Sequence, residues 1–177
     1  MRCLMPALRL PVLPFLACLS AILPAAAQAP GQPRIETRDR NALTQCVRDN
    51  AGSASACIGS VAIACVRAAP GDRAEAEIAC ARREEALWRE RMSMALRVVS
   101  RGLDVSGASR LAALQSGWEA HAQQSCAFEA GLQAPARSGG RLAGCNLREV
   151  ALRALAVERL GAGRRSAREA TPPRIIR

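Results

Sequence analysis

Apolar residues recur along this chain at steps of three and four, and the breaks between runs fall at Gly and Pro. Leu43, Cys46 and Val47 predict a short first helix over Arg40–Asn50 that stops near Gly52. Ser53 or Ser55 then stands as the cap of a second helix, which carries Cys57, Ile58, Val61 and Cys65 and ends at Pro70-Gly71. The longest helix starts at Asp72, which forms a capping box with Glu75. Ile78, Ala81, Trp88, Met92, Ala95 and Val99 mark its apolar face, while Glu84, Glu85, Arg89, Glu90 and Arg91 fall largely on the solvated one, and Gly102 is its stop.

Ser109 precedes a fourth helix with Leu111, Leu114, Trp118, His121, Ser125 and Phe128 on one stripe, ended by Gly131. A loop containing Pro135, Gly139, Gly140 and Gly144 leads to a fifth helix over Cys145–Leu160, with Leu147, Val150, Leu155 and Val157 apolar and Gly161 as its stop. No segment alternates as a strand does between turn signals. The pattern predicts an all-α fold, a small disulfide-stapled bundle of about five helices. The helical domain spans 40–160, after a loose Pro/Arg-rich segment at 28–39 and before a disordered Arg-rich tail at 161–177.

Residues 1–27 read as a secretory signal. Arg2 and Arg9 form the positive region, Pro11–Ile22 the apolar run, and Ala25-Ala26-Ala27 before Gln28 the cleavage site. Cleavage after Ala29 would leave Pro30 at the new terminus, so Ala27 is preferred. Pro11, Pro14 and Pro24 interrupt the run, which falls short of the ~20 apolar residues of a spanning helix. Phe15-Leu16-Ala17 before Cys18 is a poor lipoprotein box. The expectation is a soluble periplasmic or secreted chain with no transmembrane segment, from which Cys3 and Cys18 have been removed.

Six cysteines then remain: Cys46, Cys57, Cys65, Cys80, Cys126 and Cys145. An even number in an exported chain reads as a disulfide framework, for which six thiols allow fifteen pairings. If Cys57 and Cys65 share a helix they lie about 12 Å apart, beyond the roughly 7 Å between Cα atoms that a disulfide spans. The simplest scheme joins neighbours across each break: Cys46 to Cys57, Cys65 to Cys80, and Cys126 to Cys145. No CxxC or CxxCH occurs and His121 is the only histidine, so neither a metal site nor a cofactor is expected.

Composition changes the picture in two ways. The chain has no Tyr, two Phe and two Trp, so its core must be built from small aliphatic side chains and gains from staples. The net charge of +10 invites a nucleic-acid reading, but all 25 basic residues are Arg, which points to a GC-rich genome. Residues 30–160 hold 18 Arg against 14 acids, a mixed surface without aromatics interleaved for base stacking. No nucleic-acid partner is expected.

Gln115-Ser116-Gly117-Trp118, Cys126, Gly139-Gly140, and Cys145 with Arg153-Ala154 eight residues on resemble the C-terminal half of the LprI-like lysozyme-inhibitor family. Upstream, Cys57-Ile58-Gly59, Cys65, Cys80 and Glu84/Glu85 before Trp88 resemble its extended, cysteine-rich proteobacterial form. The resemblance covers roughly Cys46 to Leu160. It implies a periplasmic helical protein of a Gram-negative bacterium that blocks lysozyme by steric occlusion of its cleft.

The functional expectation is therefore a non-catalytic binding protein, with lysozyme or another envelope protein as partner and the contact residues unassigned. A basic inhibitor and a basic lysozyme repel at long range, which a local acidic patch at Glu84, Glu85 and Glu90 would offset. The alternative is a structural protein held to an anionic envelope surface by its Arg-rich tail. An enzyme is the third reading. Histidine is the side chain that most often acts as a general base, but the place of His121 beside Trp118 and Ser125 reads as a packed boundary position, and no acid completes a triad. Trp88 and Trp118 read as core residues.

Overall fold

Five helices and one short 3-10 turn account for nearly all of residues 35–169, the part described by a computed structural model. They are α1 (Thr37–Asp49), the turn Ala54–Cys57, α2 (Ser60–Ala68), α3 (Arg73–Ser100), α4 (Val105–Gly131) and α5 (Pro135–Glu169). No strand occurs among the described residues, and the fold is all-α. The expected leader and the chain beyond Glu169 lie outside the described residues.

The frame is the α3–α5 pair, which is by far the most extensive helix contact. Leu87, Trp88 and Met92 of α3 meet Leu147, Val150, Ala151 and Ala154 of α5 in a closed core. Trp88 is its largest side chain and is completely buried; the alanines opposite leave room for the ring and let the two helices approach. Leu43 of α1 and Val61 of α2 close the flank of this core.

Capping follows local chemistry. Asp72 accepts a bond from the amide of Glu75 at 2.8 Å, as the capping box predicts. Asp104 does the same for Gly107 at 2.7 Å, so α4 starts at Val105 with Asp104, not Ser109, as the residue before it. The first helix also starts early, at Thr37, which shortens the loose segment. Its first turn is anchored in space, because Arg83 of α3 pairs with Asp39 and, at 2.9 Å, with Glu36. The hydrogen bond to Asp39, set against the cost of burial, holds the Arg83 guanidinium above its ordinary pKa.

The expected second helix is divided. Gly59 adopts a left-handed backbone (φ +93°), which separates the turn holding Cys57 from α2 holding Cys65. Neither Ser53 nor Ser55 caps α2, whose N-cap residue is Gly59 and has no side chain to offer.

The largest difference from expectation lies in α5. Its start is Pro135, not Cys145, and the expected Gly-rich loop is helix. Proline at the first helical position loses no hydrogen bond. Gly139 makes the packing possible: a Cβ there would stand 2.9 Å from Cδ1 of Ile78 on α3. Nor does Gly161 stop the helix. It is buried, and α5 continues to Glu169, with Arg164 donating to the carbonyl of Gly102 at the end of α3. Residues 161–169 of the expected disordered tail are therefore helical.

The fourth helix packs chiefly on α5 and buries Ala122, Cys126 and Ala130. This face is rotated away from the predicted stripe, whose members Leu114, His121 and Phe128 are exposed. Helix α4 is also tied to α3 through Arg89, which bonds Glu85 of its own helix at 2.8 Å and Glu119 of α4. Burial alone would lower the Arg89 pKa, but the bonds to Glu85 and Glu119 outweigh it and raise it.

Candidate functional site

An open groove of about 740 Å³ runs between α3 and α5 and is closed on one side by residues 51–55. Met94 and Val98 of α3 face Leu152 and Leu155 of α5 across it. Met94 and Leu152 are substantially exposed, 45% and 39%, although both are large and apolar. Apolar side chains kept open in a concave surface are what a binding site presents.

The polar groups of the groove are few. Arg91 of α3 reaches Glu158 of α5 at 2.9 Å, and its guanidinium lies over the Trp88 ring at 5.7 Å from the centroid. Arg91 Nε is buried and has no hydrogen-bond partner. Arg159 adds a cation at the edge.

The wall at residues 51–55 is held by covalent and backbone bonds. Cys46 and Cys57 form a disulfide, and Asn50 donates to the carbonyl of Cys46 through its amide side chain at 2.9 Å. Ser53 N bonds Asn50 O at 2.8 Å, and Ala56 N bonds Ser53 O at 2.9 Å. The groove thus has one wall built from a stapled turn and two from the frame helices.

Below it lies a buried carboxylate that sequence reasoning placed on the solvated face. Glu84 of α3 is fully buried. It accepts bonds from the amides of Gly59 at 2.8 Å and Ala62 at 2.7 Å, and from Trp88 Nε1 at 2.9 Å. Two of these donors belong to the start of α2, so Glu84 supplies the cap that Gly59 cannot, and the helix N-terminus favours its charge. The signal was present in the spacing: position 84 falls on the stripe Ala81–Trp88–Met92, and a lone acid there marks a buried carboxylate.

The six cysteines come together as Cys46–Cys57, Cys65–Cys80 and Cys126–Cys145, with Cα separations of 5.9, 5.7 and 5.5 Å. These are the pairs of the neighbouring-helix scheme. The first ties the turn to α1, the second α2 to α3, and the third α4 to α5. Comparison with protein-family models, curated proteins and solved structures gives no match.

The spaced residues Gln115, Trp118, Cys126, Cys145 and Arg153 also converge, along the α4–α5 seam. Arg153 donates to Gln115 Oε1 at 3.1 Å and lies 5.5 Å from the centroid of the Trp118 ring, on the same two helices that the Cys126–Cys145 disulfide joins. Their spacing serves packing. Trp118 is only partly buried, unlike Trp88.

Other candidates are dispersed. His121 is exposed on α4, not packed at a boundary, because the helix turns a different face inward; no hydrogen bond joins it to Ser125. The expected acidic patch is also dissolved: Glu84 is inside, Glu85 pairs with Arg89, and Glu90 with Arg40. Among the described residues no cluster of His, Cys, Asp and Glu could hold a metal ion, and no helix is long and apolar enough to cross a membrane.

Proposed function

We propose that this chain is an exported, non-catalytic binding protein whose recognition surface is the α3–α5 groove. The observation that carries the reading is the exposure of Met94 and Leu152 within a concave surface between the two frame helices. A methionine on such a surface adapts its shape to the segment it receives. The polar side chains nearby serve structure: Arg91 pairs with Glu158, and Glu84 serves the amides of its own fold.

Lysozyme is the partner that the resemblance names, through steric occlusion. Glu84, Glu85 and Glu90 are engaged within the fold, so affinity for a basic enzyme must come from groove contacts, not from long-range steering. The test is to titrate the mature chain against a c-type lysozyme while following cell-wall lysis. Saturable inhibition that is lost in Met94→Glu and Leu152→Glu supports both parts of the reading. Undiminished lysis at large excess removes lysozyme; inhibition that survives both substitutions removes the groove.

One observation favours the envelope-associated alternative. The α5 helix continues through Arg164, Arg165 and Arg168, which sets these positions within little more than one turn. Truncation at 161 would also strip Gly161 and Ala162 from the groove, so Arg165→Gln/Arg168→Gln is the cleaner variant. Binding to anionic vesicles that is unchanged by this variant, or by salt, excludes the tail as an anchor.

A further inference from the structure

The exposed stripe of α4 has the spacing of a helix-pairing seam. Leu114, His121 and Phe128 lie seven residues apart, and Leu132 follows four residues later, just past the helix end. Leu114, Phe128 and Leu132 are 67%, 69% and 68% exposed. Leu111, Trp118 and Ser125 interleave with them and are half-buried. Steps of three and four therefore alternate without a break from 111 to 132, about 31 Å of helix. Leu111 and Trp118 also pack against the core of their own chain, so the members open to the side of another helix are Leu114, His121, Phe128 and Leu132.

We infer that α4 is a homodimer interface, in which it pairs antiparallel with α4 of a second copy about a two-fold axis at His121. Leu114, His121 and Phe128 are self-complementary in this arrangement, which points to this occupant. Antiparallel pairing centred on His121 sets Leu114 against Phe128 of the second copy, and Gly117 against Ser125, so the small residues meet where the backbones approach. It also brings Arg110 to the turn that carries Glu129 of the second copy, at both ends of the interface. Arg110 and Glu129 are both solvent-accessible, and among the described residues their side chains bond Ser106 and Arg141 respectively. Parallel in-register pairing would oppose like charges instead: Arg110 to Arg110 and Glu129 to Glu129. Opposite charges beside the seam select orientation, and the two-fold arrangement closes without leaving a free face to propagate.

The exposed members of the stripe, Leu114, His121, Phe128 and Leu132, do not line the α3–α5 groove, so the two surfaces are separate. The proposal is independent of what the groove binds.

Sedimentation equilibrium of the mature chain tests it. The expected result is a monomer–dimer equilibrium within about 1–100 µM, the strength of a small interface. Leu114→Asp and Phe128→Glu each give monomer throughout that range with unchanged far-ultraviolet circular dichroism, because neither side chain belongs to the core. Arg110→Glu and Glu129→Arg each weaken the dimer about tenfold, and the double exchange restores it. A monomer at every concentration, or a dimer that survives both apolar substitutions, overturns the interface. A double exchange that restores nothing overturns the antiparallel arrangement.

Discussion

The indole N–H of Trp88 donates to the carboxylate of Glu84 at 2.9 Å, one turn earlier on α3. The largest core side chain and a fully buried acid are therefore joined, and the same carboxylate holds the start of α2. Glu84→Ala leaves three donors without an acceptor and is expected to cost about 3–5 kcal/mol. Glu84→Gln keeps the shape but loses a charged acceptor, at about 1.5–3 kcal/mol. Urea unfolding measures both. A Glu84→Ala loss under about 1 kcal/mol excludes the capping role.

The Cys65–Cys80 disulfide joins the same two helices as Glu84. Replacing both cysteines by alanine is expected to cost about 3 kcal/mol for a loop of this length. Because the two clamps share a target, the combined variant loses less than the sum of the separate losses. A double-mutant cycle checks this; strict additivity means that α2 is held by each clamp independently.

Glycines inside α5 differ in what surrounds them. Nothing lies within 4 Å of a Cβ built at Gly140 or Gly144, whereas one at Gly139 meets Ile78. Gly140→Ala and Gly144→Ala are each expected to stabilise the fold by about 0.5–1 kcal/mol, the difference in helix propensity. Gly139→Ala gains less, because Ile78 must move. Equal gains at all three positions in thermal unfolding contradict the tight α3–α5 approach.

Arg153 and Trp118 give a local test of the α4–α5 seam. Arg153→Ala removes the stacked cation and the bond to Gln115, for an expected loss of about 1–2 kcal/mol. Trp118→Phe retains a ring face, so a smaller loss is expected. If amide exchange over α4 does not rise in Arg153→Ala, the helix is held by the Cys126–Cys145 disulfide and its apolar contacts alone.

Much of this fold was legible in the sequence, and the losses have physical causes. The 72–100 segment was clear because cap, stripe and stop agree there. In α5, glycine propensity pointed to a loop, and contact with α3 overrode it, as Gly139 against Ile78 shows. In α4, periodicity identified the stripe but did not say whether the rest of the chain would cover it. Ala122 and Cys126 were the inward residues, and a disulfide aims that face at α5. The groove was not legible at all, because its walls are 47–55, 91–98 and 152–162, three segments that only the fold brings together.

Each disulfide joins a cysteine to the next one along the chain: 46 to 57, 65 to 80, 126 to 145. Among these six, a chain delivered from its N-terminal end therefore presents each thiol with its partner first. Oxidation of these six in order of appearance gives the three bridges directly, and none of their other fourteen pairings has to be undone by exchange. The order of the cysteines is itself an assembly instruction, read as the chain arrives.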